Sequence, residues 1–299
     1  MIYCVFSFNR GLFLQNCIQS IENCAAQSKI IVFDDNSDDP ETIEVLQQIK
    51  TKHTVIQPGH SSNHHLGGLY GNMQSALEYC RDEELVCYLQ DDTQIVRPLT
   101  EQDRTILNET FSRLPGLGFL HPCFMKGFNR ARGERYIYDP DSNLYFCSPT
   151  KRSAGRFFSA LLIMKPARLL ASGWQFNSSE PLNSQQAETL FHSIGYLFSP
   201  FAMWLPEVPA YRGKRKTLGL KLAEKKHVCG FYPFQLMTAE QVSAFNNRPH
   251  TKFPYAEDFL QCTPETPKKP WTYGSLMGSR WMKKLNQLEI STRRIFKRS

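Results

Sequence analysis

Residues 84–96 read ELVCYLQDDTQIV, a short apolar run that ends on two adjacent carboxylates. Residues 85–89 have the length and continuous hydrophobicity of a strand that is buried on both faces of a sheet. Asp91 and Asp92 follow this run after one glutamine, so the strand delivers two acids to the edge of the sheet. In open α/β folds, ligands bind at this edge, beyond the carboxyl ends of the strands. A metal site is one interpretation of the pair, and a solvated turn that caps the next element is the other.

The chain on either side of this run alternates strand and helix patterns with short connections. Apolar residues at helical spacing predict helices over 11–24 and 40–50, and a third helix around Met73, Ala76, Leu77 and Cys80. Strand patterns occupy 2–8, 29–33, 54–57 and 85–89. Strands that alternate with helices at this spacing form βαβ units, so we predict a mostly parallel sheet covered by helices.

Three of the predicted strands end in polar clusters: SFNR at 7–10, DDNS at 34–37 and QDDT at 90–93. The carboxyl ends of parallel strands meet at one edge of a sheet, so we expect the three clusters to lie close together. Helix capping alone accounts for any single cluster. Three clusters, two of them with paired acids, contain more polar residues than helix capping requires. Such an edge repels itself unless a cation or hydrogen-bond donors fill it.

Length and composition are those of an ordinary globular protein. The 299 residues are long enough to bury a sizeable core, and 41% hydrophobic against 21% charged residues with a mean hydropathy of -0.40 argue against disorder. The longest apolar runs fall short of the ~20 residues that a spanning helix needs. The chain opens on a strand pattern without a basic segment before it, which argues against a cleaved signal peptide.

Cysteine usage and charge narrow the class further. Nine cysteines, an odd number without a CxxC pair, argue against a disulfide framework and against a zinc cluster, and they indicate a reducing, cytosolic compartment. The net charge of +7 indicates an anionic partner without naming one. Nucleic acid is excluded because the basic groups lack interleaved aromatic residues and form no recognition motif.

The second half of the chain gives weaker signals. Residues 99–152 form a less regular insert, with a helix over 100–114, a strand over 118–122 and a hairpin over 136–148. A basic run in this insert is either a solvated surface or a loop that faces phosphate or an acidic acceptor. The run comprises Lys126, Arg130, Arg132 and Arg135.

The C-terminal part contains a proline-rich stretch and then a basic helix. Residues 248–271 are a linker or a wrapped tail. From Trp281 onward, apolar residues at helical spacing alternate with lysines and arginines, which predicts a basic amphipathic helix. This helix either lies on an anionic membrane surface or packs on the protein's own body or on a second subunit.

The order of these motifs resembles a known family. SFNR, a helix, IIVFDDNSDD, a Gly-rich loop leading into GNMQSALEYC, and CYLQDDTQI resemble the nucleotide-binding half of family 2-like glycosyltransferases with a GT-A fold. The resemblance covers about residues 1–100 well and 153–210 weakly. It implies a GT-A-like (Rossmann-like) α/β fold with a donor-binding half over 1–98 and an acceptor-side half of the same domain over 99–210. A C-terminal extension with the basic helix occupies 211–299.

The resemblance also implies a donor site. The donor would be a nucleoside-diphosphate sugar, and Mg²⁺ or Mn²⁺ would bridge its phosphates to a carboxylate. Asp34 would bind the base, Asp92 would be the main metal ligand, and Asp91 would hold the ribose or a metal-bound water. The other residues implied in nucleotide binding are Phe6, Ser7, Asn9, Arg10, Asp35 and Asn36.

One departure from the family pattern affects the metal. QDD stands where the family has its DxD motif, so Gln90 replaces the first acid and metal dependence comes into question. His227 lies where some members supply a third metal ligand, although a structural or exposed histidine is the other interpretation. His64 and His65, in the Gly-rich loop, either approach the diphosphate or are solvated.

The resemblance places the catalytic base in the second half. SALLIMKPARLLASGWQF resembles the family's strand, short helix and Gly-aromatic turn, here Gly173 and Trp174. The family's next motif is a Glu-Asp pair, which this chain lacks. We predict a helix around Ala187 that is capped by Asn183 or Ser184. Glu180, in the loop before that helix, is then the predicted base, and Glu188 is the alternative.

These features together predict a glycosyltransferase of glycan biosynthesis that is metal-assisted and inverting. It would transfer a sugar to a hydroxyl of a glycan or lipid-linked acceptor, with a peripheral membrane contact through the C-terminal helix and an undetermined oligomeric state. A sugar-nucleotide or glycan-binding protein without catalysis is one alternative, favoured by Gln90 and the absent Glu-Asp pair. A nucleotidyltransferase is another, although the chain lacks a Gly-rich N-terminal loop with a Lys or Arg for a triphosphate.

Overall fold

Four strands in the first ninety residues form the parallel half of the central sheet. The computed structural model describes residues 1–57, 68–130, 136–148, 155–210, 216–277 and 279–295. Strands β1 (Ile2–Ser7), β2 (Ile30–Asp34), β3 (Thr54–Ile56) and β4 (Val86–Gln90) pair in the order β3-β2-β1-β4, all parallel. Every residue of β1 and β2 is buried, as strands covered on both faces require.

Shorter strands from the second half extend the same sheet. Beyond β4 the order is β9-β6-β10-β8-β7, so the predicted hairpin over 136–148 forms the far edge of the sheet. Within the described ranges β8 and β9 run opposite to the other strands of this sheet, and the predicted α/β class with a mostly parallel sheet is confirmed. The bounds are β5 (Thr93–Ile95), β6 (Leu120–His121), β7 (Tyr136–Asp139), β8 (Leu144–Cys147), β9 (Leu162–Met164), β10 (Gly195–Leu197) and β11 (Ala202–Trp204). Strands β5 and β11 form a separate antiparallel pair.

Helices begin where their sequences supply a cap or a proline. The side chain of Asp39 accepts a hydrogen bond from the Thr42 N–H, and Pro40 fits the first turn of α2. Thr100 and Asp103 form a capping box at the start of α4. The helices are α1 (Gly11–Cys24), α2 (Pro40–Lys50), α3 (Gly68–Tyr79), α4 (Glu101–Arg113), α5 (Pro166–Ala171), α6 (Glu180–Leu190), α7 (Leu218–His227), α8 (Ala239–Asn246), α9 (Ala256–Phe259) and α10 (Arg280–Ile295). The predicted bounds of the first two are confirmed.

Two apolar layers sandwich the sheet because successive strand residues point to opposite faces. Val5 of β1 faces a layer with Leu14 of α1 and Leu46 of α2. Phe6, the next residue, faces a second layer with Met73 of α3 and Trp174. The carboxyl ends of β1, β2 and β4 therefore emerge between two helical layers, which leaves the sheet edge free for polar groups.

The C-terminal part packs against this body. Ala256, Leu260 and Trp271 are buried in the first layer, so residues 248–271 are a wrapped tail and not a free linker. The predicted basic helix is present as α10, and its inner side packs on α7 through a hydrogen bond from Thr217 Oγ1 to Asn286 Oδ1 at 2.6 Å. None of the helices in the described ranges is long and apolar enough to cross a membrane.

Candidate active site

The acid pair at the end of β4 is bridged by an arginine. The Asp91 N–H donates to the Phe6 carbonyl at 3.0 Å, which fixes the pair at the carboxyl ends of β1 and β4. Arg10, just before α1, donates from Nη1 to Asp92 Oδ2 at 2.6 Å and to Asp91 Oδ1 at 3.3 Å. The cation that the sequence required at this edge is thus supplied, in the described structure, by the guanidinium group of Arg10.

Burial makes the two acids chemically different. Burial raises the pKa of Asp91 to about 7, Arg10 and the Phe8 N–H counteract this, and the neighbouring Asp92 charge adds to the rise. Burial acts to lower the pKa of Arg10, but Asp92 and Asp91 more than compensate, so its pKa is raised. Arg10 therefore stays charged while Asp91 titrates near neutral pH.

Three buried oxygens at this edge have no hydrogen-bond partner in the described part of the chain. They are Oδ1 of Asp92, Oγ of Ser7 at the end of β1, and Oγ1 of Thr93 at the start of β5. Buried polar groups are nearly always paired in native proteins, so water or a ligand would be expected to complete these three oxygens. The edge can accept further hydrogen bonds at all three oxygens and can donate them from the two hydroxyl groups.

The second cluster holds the β2–α2 turn and the start of α3. Asp34 is fully buried and accepts from Ser37 N at 2.8 Å, Ser37 Oγ at 2.6 Å and Gln57 Nε2 at 3.1 Å. Asp35 accepts from the Gly68 N–H, and burial together with Asp34 raises the pKa of Asp35. A Cβ on Gly68 would lie 1.6 Å from Asp35 Oδ1, so α3 starts directly on this carboxylate. Binding of a base at Asp34 stays a prediction.

Asn9 and Phe6 are built into the scaffold of the first cluster. Asn9 has φ 51° and is buried, and its Oδ1 accepts from the N–H groups of Asp38 and Asp39, both at 2.9 Å. Its Nδ2 donates to Asp38 Oδ1 at 2.6 Å. The ring of Phe6 packs in the core at 4.9 Å from the ring of Tyr88. The nucleotide contacts expected of these two residues, and of the exposed Asn36, stay predictions.

A lysine from the second half faces the acid pair. The Nζ of Lys126 lies 3.8 Å from the ring centroid of Trp204 and 5.1 Å from that of Tyr273. Trp204 pairs with Thr93 across β11 and β5, and the next residue, Leu205, donates to the Asp92 carbonyl at 2.8 Å. Burial lowers the pKa of Lys126, while Cys123, Asp92 and Glu180 counteract this. No carboxylate of the described ranges forms an ion pair with it.

Glu180 stands near this lysine, in a position that corrects the sequence prediction. It is the first residue of α6 and not a loop residue, and Ser179, not Asn183 or Ser184, is the N-cap. Pro181 explains the earlier start, because proline fits the first turn of a helix. Burial raises the pKa of Glu180, and Lys126 opposes this rise. The residue remains accessible to solvent.

The two predicted bases differ in their surroundings. Burial, and after it the Glu180 charge, raises the pKa of Tyr70 to about 12, and the same carboxylate acts electrostatically on Lys126. Glu188 lies two turns further along α6, and both glutamates are exposed. Glu180 therefore shares its surroundings with Tyr70 of α3 and with Lys126.

His227 ends α7 beside a buried glutamate. Its Nδ1 lies 3.9 Å from Glu207 Oε2, and its Nε2 is buried without a partner among the described residues. Glu207 also accepts from the Thr272 N–H at 3.0 Å. In the ranges that the structure covers, no three His, Cys, Asp or Glu side chains form a group that could hold a metal. His64, His65, Arg132 and Arg135 lie outside the described residues.

The donor set does not fit a resident divalent ion while Arg10 holds its present place. Both Asp91 oxygens and Asp92 Oδ2 already accept hydrogen bonds, so one carboxylate oxygen of the pair, Asp92 Oδ1, is left. Mg²⁺ demands near-ideal octahedral oxygen coordination, and Gln90 offers a neutral oxygen where the family has an acid. A cation therefore already occupies the position that the resemblance gave to the metal.

Sequence reasoning did not single out Lys126 and Trp204 as site residues. The sequence placed Lys126 in a basic run that was either a solvated surface or a loop facing phosphate. The electrostatic effect of Asp92 on Lys126 favours the loop that faces phosphate. Arg130 of the same run pairs with Asp258 at 2.7 Å and is more than half exposed, as a solvated basic surface would be. Trp204 lies in an apolar strand, where a tryptophan is ordinary, so the sequence did not mark it as a site residue.

Fold and site define an α/β protein with a polar ligand edge, and the comparisons agree with that class. Residues 3–100 match the sequence model described as Glycosyl transferase family 2. This match contains β1 to β4 and the acid pair, so the resemblance to that family and to its GT-A fold is confirmed over this segment. It supports sugar transfer as the general activity. A comparison with curated proteins gave no match.

Several solved structures are distantly similar. An active-site mutant of LgtC aligns at 12% identity and TM-score 0.39, over 66% of this chain and 72% of that chain. The galactosyltransferase LgtC with donor and acceptor sugar analogues gives 12% identity and TM-score 0.37, over 64% and 66% of the two chains. A cytidylyltransferase from Leptospira borgpetersenii serovar Hardjo-bovis gives 12% and 0.35, over 63% and 72%. Similarity at this level carries no inference about the reaction.

Proposed function

We propose that this chain is a glycosyltransferase that moves a sugar from a nucleoside-diphosphate sugar to an acceptor hydroxyl, with inversion. One observation carries the proposal. Within the segment that matches the family, Arg10, Asp91 and Asp92 meet at the carboxyl edge of parallel strands, and Lys126 of the other half, held on Trp204, acts electrostatically with both Asp92 and Glu180. In the proposed complex, the donor groups and the base would lie on opposite sides of the sugar.

The nucleotide would lie along the ends of β1 and β2. Asp34 and Asp35 would border the nucleotide base. Between them and the acid pair, the Oγ of Ser7 offers a hydrogen-bond donor and acceptor without a partner among the described residues. Asp91 would accept a ribose hydroxyl. This arrangement follows the rule that parallel sheets bind ligands beyond their carboxyl ends.

The chemistry is one displacement at the anomeric carbon. The bond from this carbon to the diphosphate oxygen breaks, and its electron pair leaves with the diphosphate. The acceptor oxygen bonds to the carbon from the opposite face, and its proton passes to Glu180. A base works best when its pKa lies near the working pH, and burial moves the pKa of Glu180 upward in that direction.

A metal-assisted form of this reaction would use Asp92, and His227 by the resemblance, as ligands of Mg²⁺ or Mn²⁺. It would require Arg10 to leave Asp92 Oδ2, which would then provide a second oxygen beside Oδ1. A divalent ion there would neutralise the departing diphosphate.

The acceptor is a glycan or a lipid-linked saccharide, presented at the inner face of a membrane from the cytoplasm. Two observations support this part of the proposal. The described cysteines are free, as a reducing compartment requires. Trp281 and Leu288 of α10 are exposed beside Lys284, an apolar and basic combination that suits an anionic membrane surface.

The experiment is a thermal-shift panel of nucleoside diphosphates and nucleotide sugars, followed by turnover assays with saccharide and lipid-linked acceptors. A ligand at ~100 times its dissociation constant should stabilise the fold by about 2.7 kcal/mol. We expect one base to stabilise the wild type and its diphosphate to be released in the presence of an acceptor. Asp92→Ala should abolish that release.

Other outcomes would contradict this proposal in different ways. Stabilisation without turnover across a broad acceptor panel would favour a binding protein. Release of inorganic pyrophosphate from a nucleoside triphosphate and a sugar phosphate would indicate a nucleotidyltransferase. Failure of every nucleotide to stabilise the protein, with and without metal, would reject the donor site.

A further inference from the structure

We propose that this chain supplies its own cations for the donor: Arg10 and Lys126 bind the diphosphate group and stand in for the divalent ion. This inference rests on the proposed function and goes beyond it, because it assigns a metal-independent diphosphate site to two named residues. Its ligand class is the diphosphate group, whether in a nucleotide sugar, a nucleoside diphosphate or free pyrophosphate.

The first argument is the geometry of Arg10. One nitrogen, Nη1, serves both carboxylates, at 2.6 Å from Asp92 Oδ2 and 3.3 Å from Asp91 Oδ1. Its other nitrogens, Nη2 and Nε, have no acceptor within the described part of the chain, and about a fifth of the side chain is exposed. A guanidinium group presents five donors in a rigid fork that matches phosphate oxygens. Arg10 can therefore hold the acids and a phosphate group together.

The second argument is charge. The acid pair is served by a single cation in the described part of the chain, Arg10, which lies 2.6 Å from Asp92 Oδ2 and 3.3 Å from Asp91 Oδ1. A diphosphate brings at least two more negative charges to this edge, which would be repelled unless a further cation lay within reach. A second positive group is therefore required beside Asp92.

Lys126 meets that requirement. Its ammonium group is held by the faces of Trp204 and Tyr273, at 3.8 Å and 5.1 Å from the centroids, and not by a carboxylate. An aromatic face attracts a cation without cancelling its charge. Trp204 pairs with Thr93, the residue that follows Asp92, and Leu205 donates to the Asp92 carbonyl, so this stack brings Lys126 to the side of the acid pair.

The third argument is the poor fit of the acid pair to a divalent ion. Gln90 contributes no charge, and Arg10 already engages one oxygen of each carboxylate. Any metal at Asp92 would have to compete with a guanidinium group bound at 2.6 Å. Removing Arg10 should therefore favour metal binding at Asp92. A variant that gains metal-dependent binding while wild type binds without metal distinguishes this inference from a metal-assisted mechanism.

The test measures binding of inorganic pyrophosphate, and of the nucleoside diphosphate found in the panel, by calorimetry in EDTA and in Mn²⁺. Wild type should bind both ligands in EDTA with little change on adding Mn²⁺. Arg10→Gln and Lys126→Gln should each weaken binding in EDTA by tenfold or more. Arg130→Gln is the matched control, because Arg130 belongs to the same basic run but is exposed and pairs with Asp258. It should bind like wild type.

Mn²⁺ provides the decisive comparison. It should restore nucleotide binding to Arg10→Gln, since Asp92 is then free, and should not restore it to Lys126→Gln. Arg10→Lys keeps the positive charge and replaces Arg10→Gln in this comparison if that variant does not fold. Its loss of ligand affinity in EDTA should lie between those of wild type and Arg10→Gln. A wild type that binds nucleotide in Mn²⁺ but not in EDTA would overturn this inference and leave the proposed function standing. A wild type that binds no nucleotide in either condition would reject both.

Discussion

At the scale of single residues, the base can be tested through Glu180 and its neighbour on the same helix. Glu180→Gln removes the group that accepts the acceptor's proton, so we expect kcat to fall by about 10²-fold or more while donor binding is retained. Glu188→Gln is the matched control, because it makes the same change two turns further along α6. Equal losses in both variants would contradict the assignment. Turnover at saturating donor and acceptor is the measurement.

The pH dependence of the same reaction follows from the surroundings of Glu180. A base is active when ionised, and burial raises the pKa of Glu180 above its usual 4.5. Activity should therefore decline as the pH falls, with a midpoint above 4.5. Lys126 opposes the rise, so Lys126→Gln should move this midpoint to higher pH at saturating donor. A pH profile of kcat for both proteins checks the sign.

Asn9 is a second residue with a defined structural task. Its Oδ1 caps the N–H groups of Asp38 and Asp39, and its backbone lies at φ 51°. Asn9→Ala removes the acceptor of two partly buried N–H groups and strains the backbone, so the free energy of unfolding should fall by about 2–3 kcal/mol. Asn9→Gly tolerates positive φ and should lose about 1 kcal/mol less. Urea denaturation measures both, and equal stability of wild type and Asn9→Ala would contradict this account.

The site shows how far residue-level prediction reaches. Asp34 and Asp91 were expected at one edge because they end parallel strands, and the strand registers place them there. The bond from Arg10 to Asp92 joins residues 82 positions apart and depends on side-chain direction, which no local pattern encodes. Lys126 reaches the same place through β11 and its pairing with β5, which is a tertiary contact as well.

At the scale of elements, the helices that could be predicted from the sequence were those with a regular apolar periodicity and a recognisable cap. α1 has an uninterrupted apolar face and α2 has Asp39 and Pro40 at its start, so both bounds were predictable. α6 carries few apolar residues, and Ser179 with Pro181 resembles a loop, so its first turn was missed. The order of β6, β8, β9 and β10 was not predictable, because strands of two to four residues carry too little pattern to fix their partners.

The packing of α7 on α10 makes an element-level prediction. A Cβ on Gly219 would lie 2.8 Å from the Met282 carbonyl oxygen and 2.9 Å from the Asn286 nitrogen, both backbone atoms. Gly219→Ala must therefore separate the two helices and increase hydrogen exchange in α10. Gly71→Ala in α3 is the matched control, because nothing lies within 4 Å of its Cβ. The control should gain up to about 1 kcal/mol, since alanine favours a helix. Unchanged exchange in Gly219→Ala would contradict the contact.

At the scale of the whole molecule, the charges and exposed apolar groups are unevenly distributed. Leu218 and Leu222 of α7, and Trp281 and Leu288 of α10, are exposed on the two helices that pack together at the C-terminal end. Lys221, Lys225, Lys283 and Lys284 are exposed on the same two helices. We call these eight residues the α7–α10 surface. The net charge of the chain is +7, so a negatively charged partner is expected for this surface. Anionic lipid offers both negative charge and an apolar layer.

Vesicle binding tests the α7–α10 surface with an internal reporter. Trp281 is 58% exposed, whereas Trp174 and Trp271 are buried and Trp204 is partly buried under Lys126, so insertion should shift mainly the emission of Trp281 to shorter wavelength. We expect binding to vesicles that contain phosphatidylserine and not to neutral phosphatidylcholine vesicles, with weakening in high salt because the attraction is screened. Lys283→Glu with Lys284→Glu should abolish co-sedimentation, whereas Leu12→Ser, at an exposed leucine on α1, should not. Equal binding to both kinds of vesicle would reject the electrostatic part of the argument. Absence of binding to either would indicate that α10 serves only to hold α7 in place, and that the acceptor reaches Glu180 from solution.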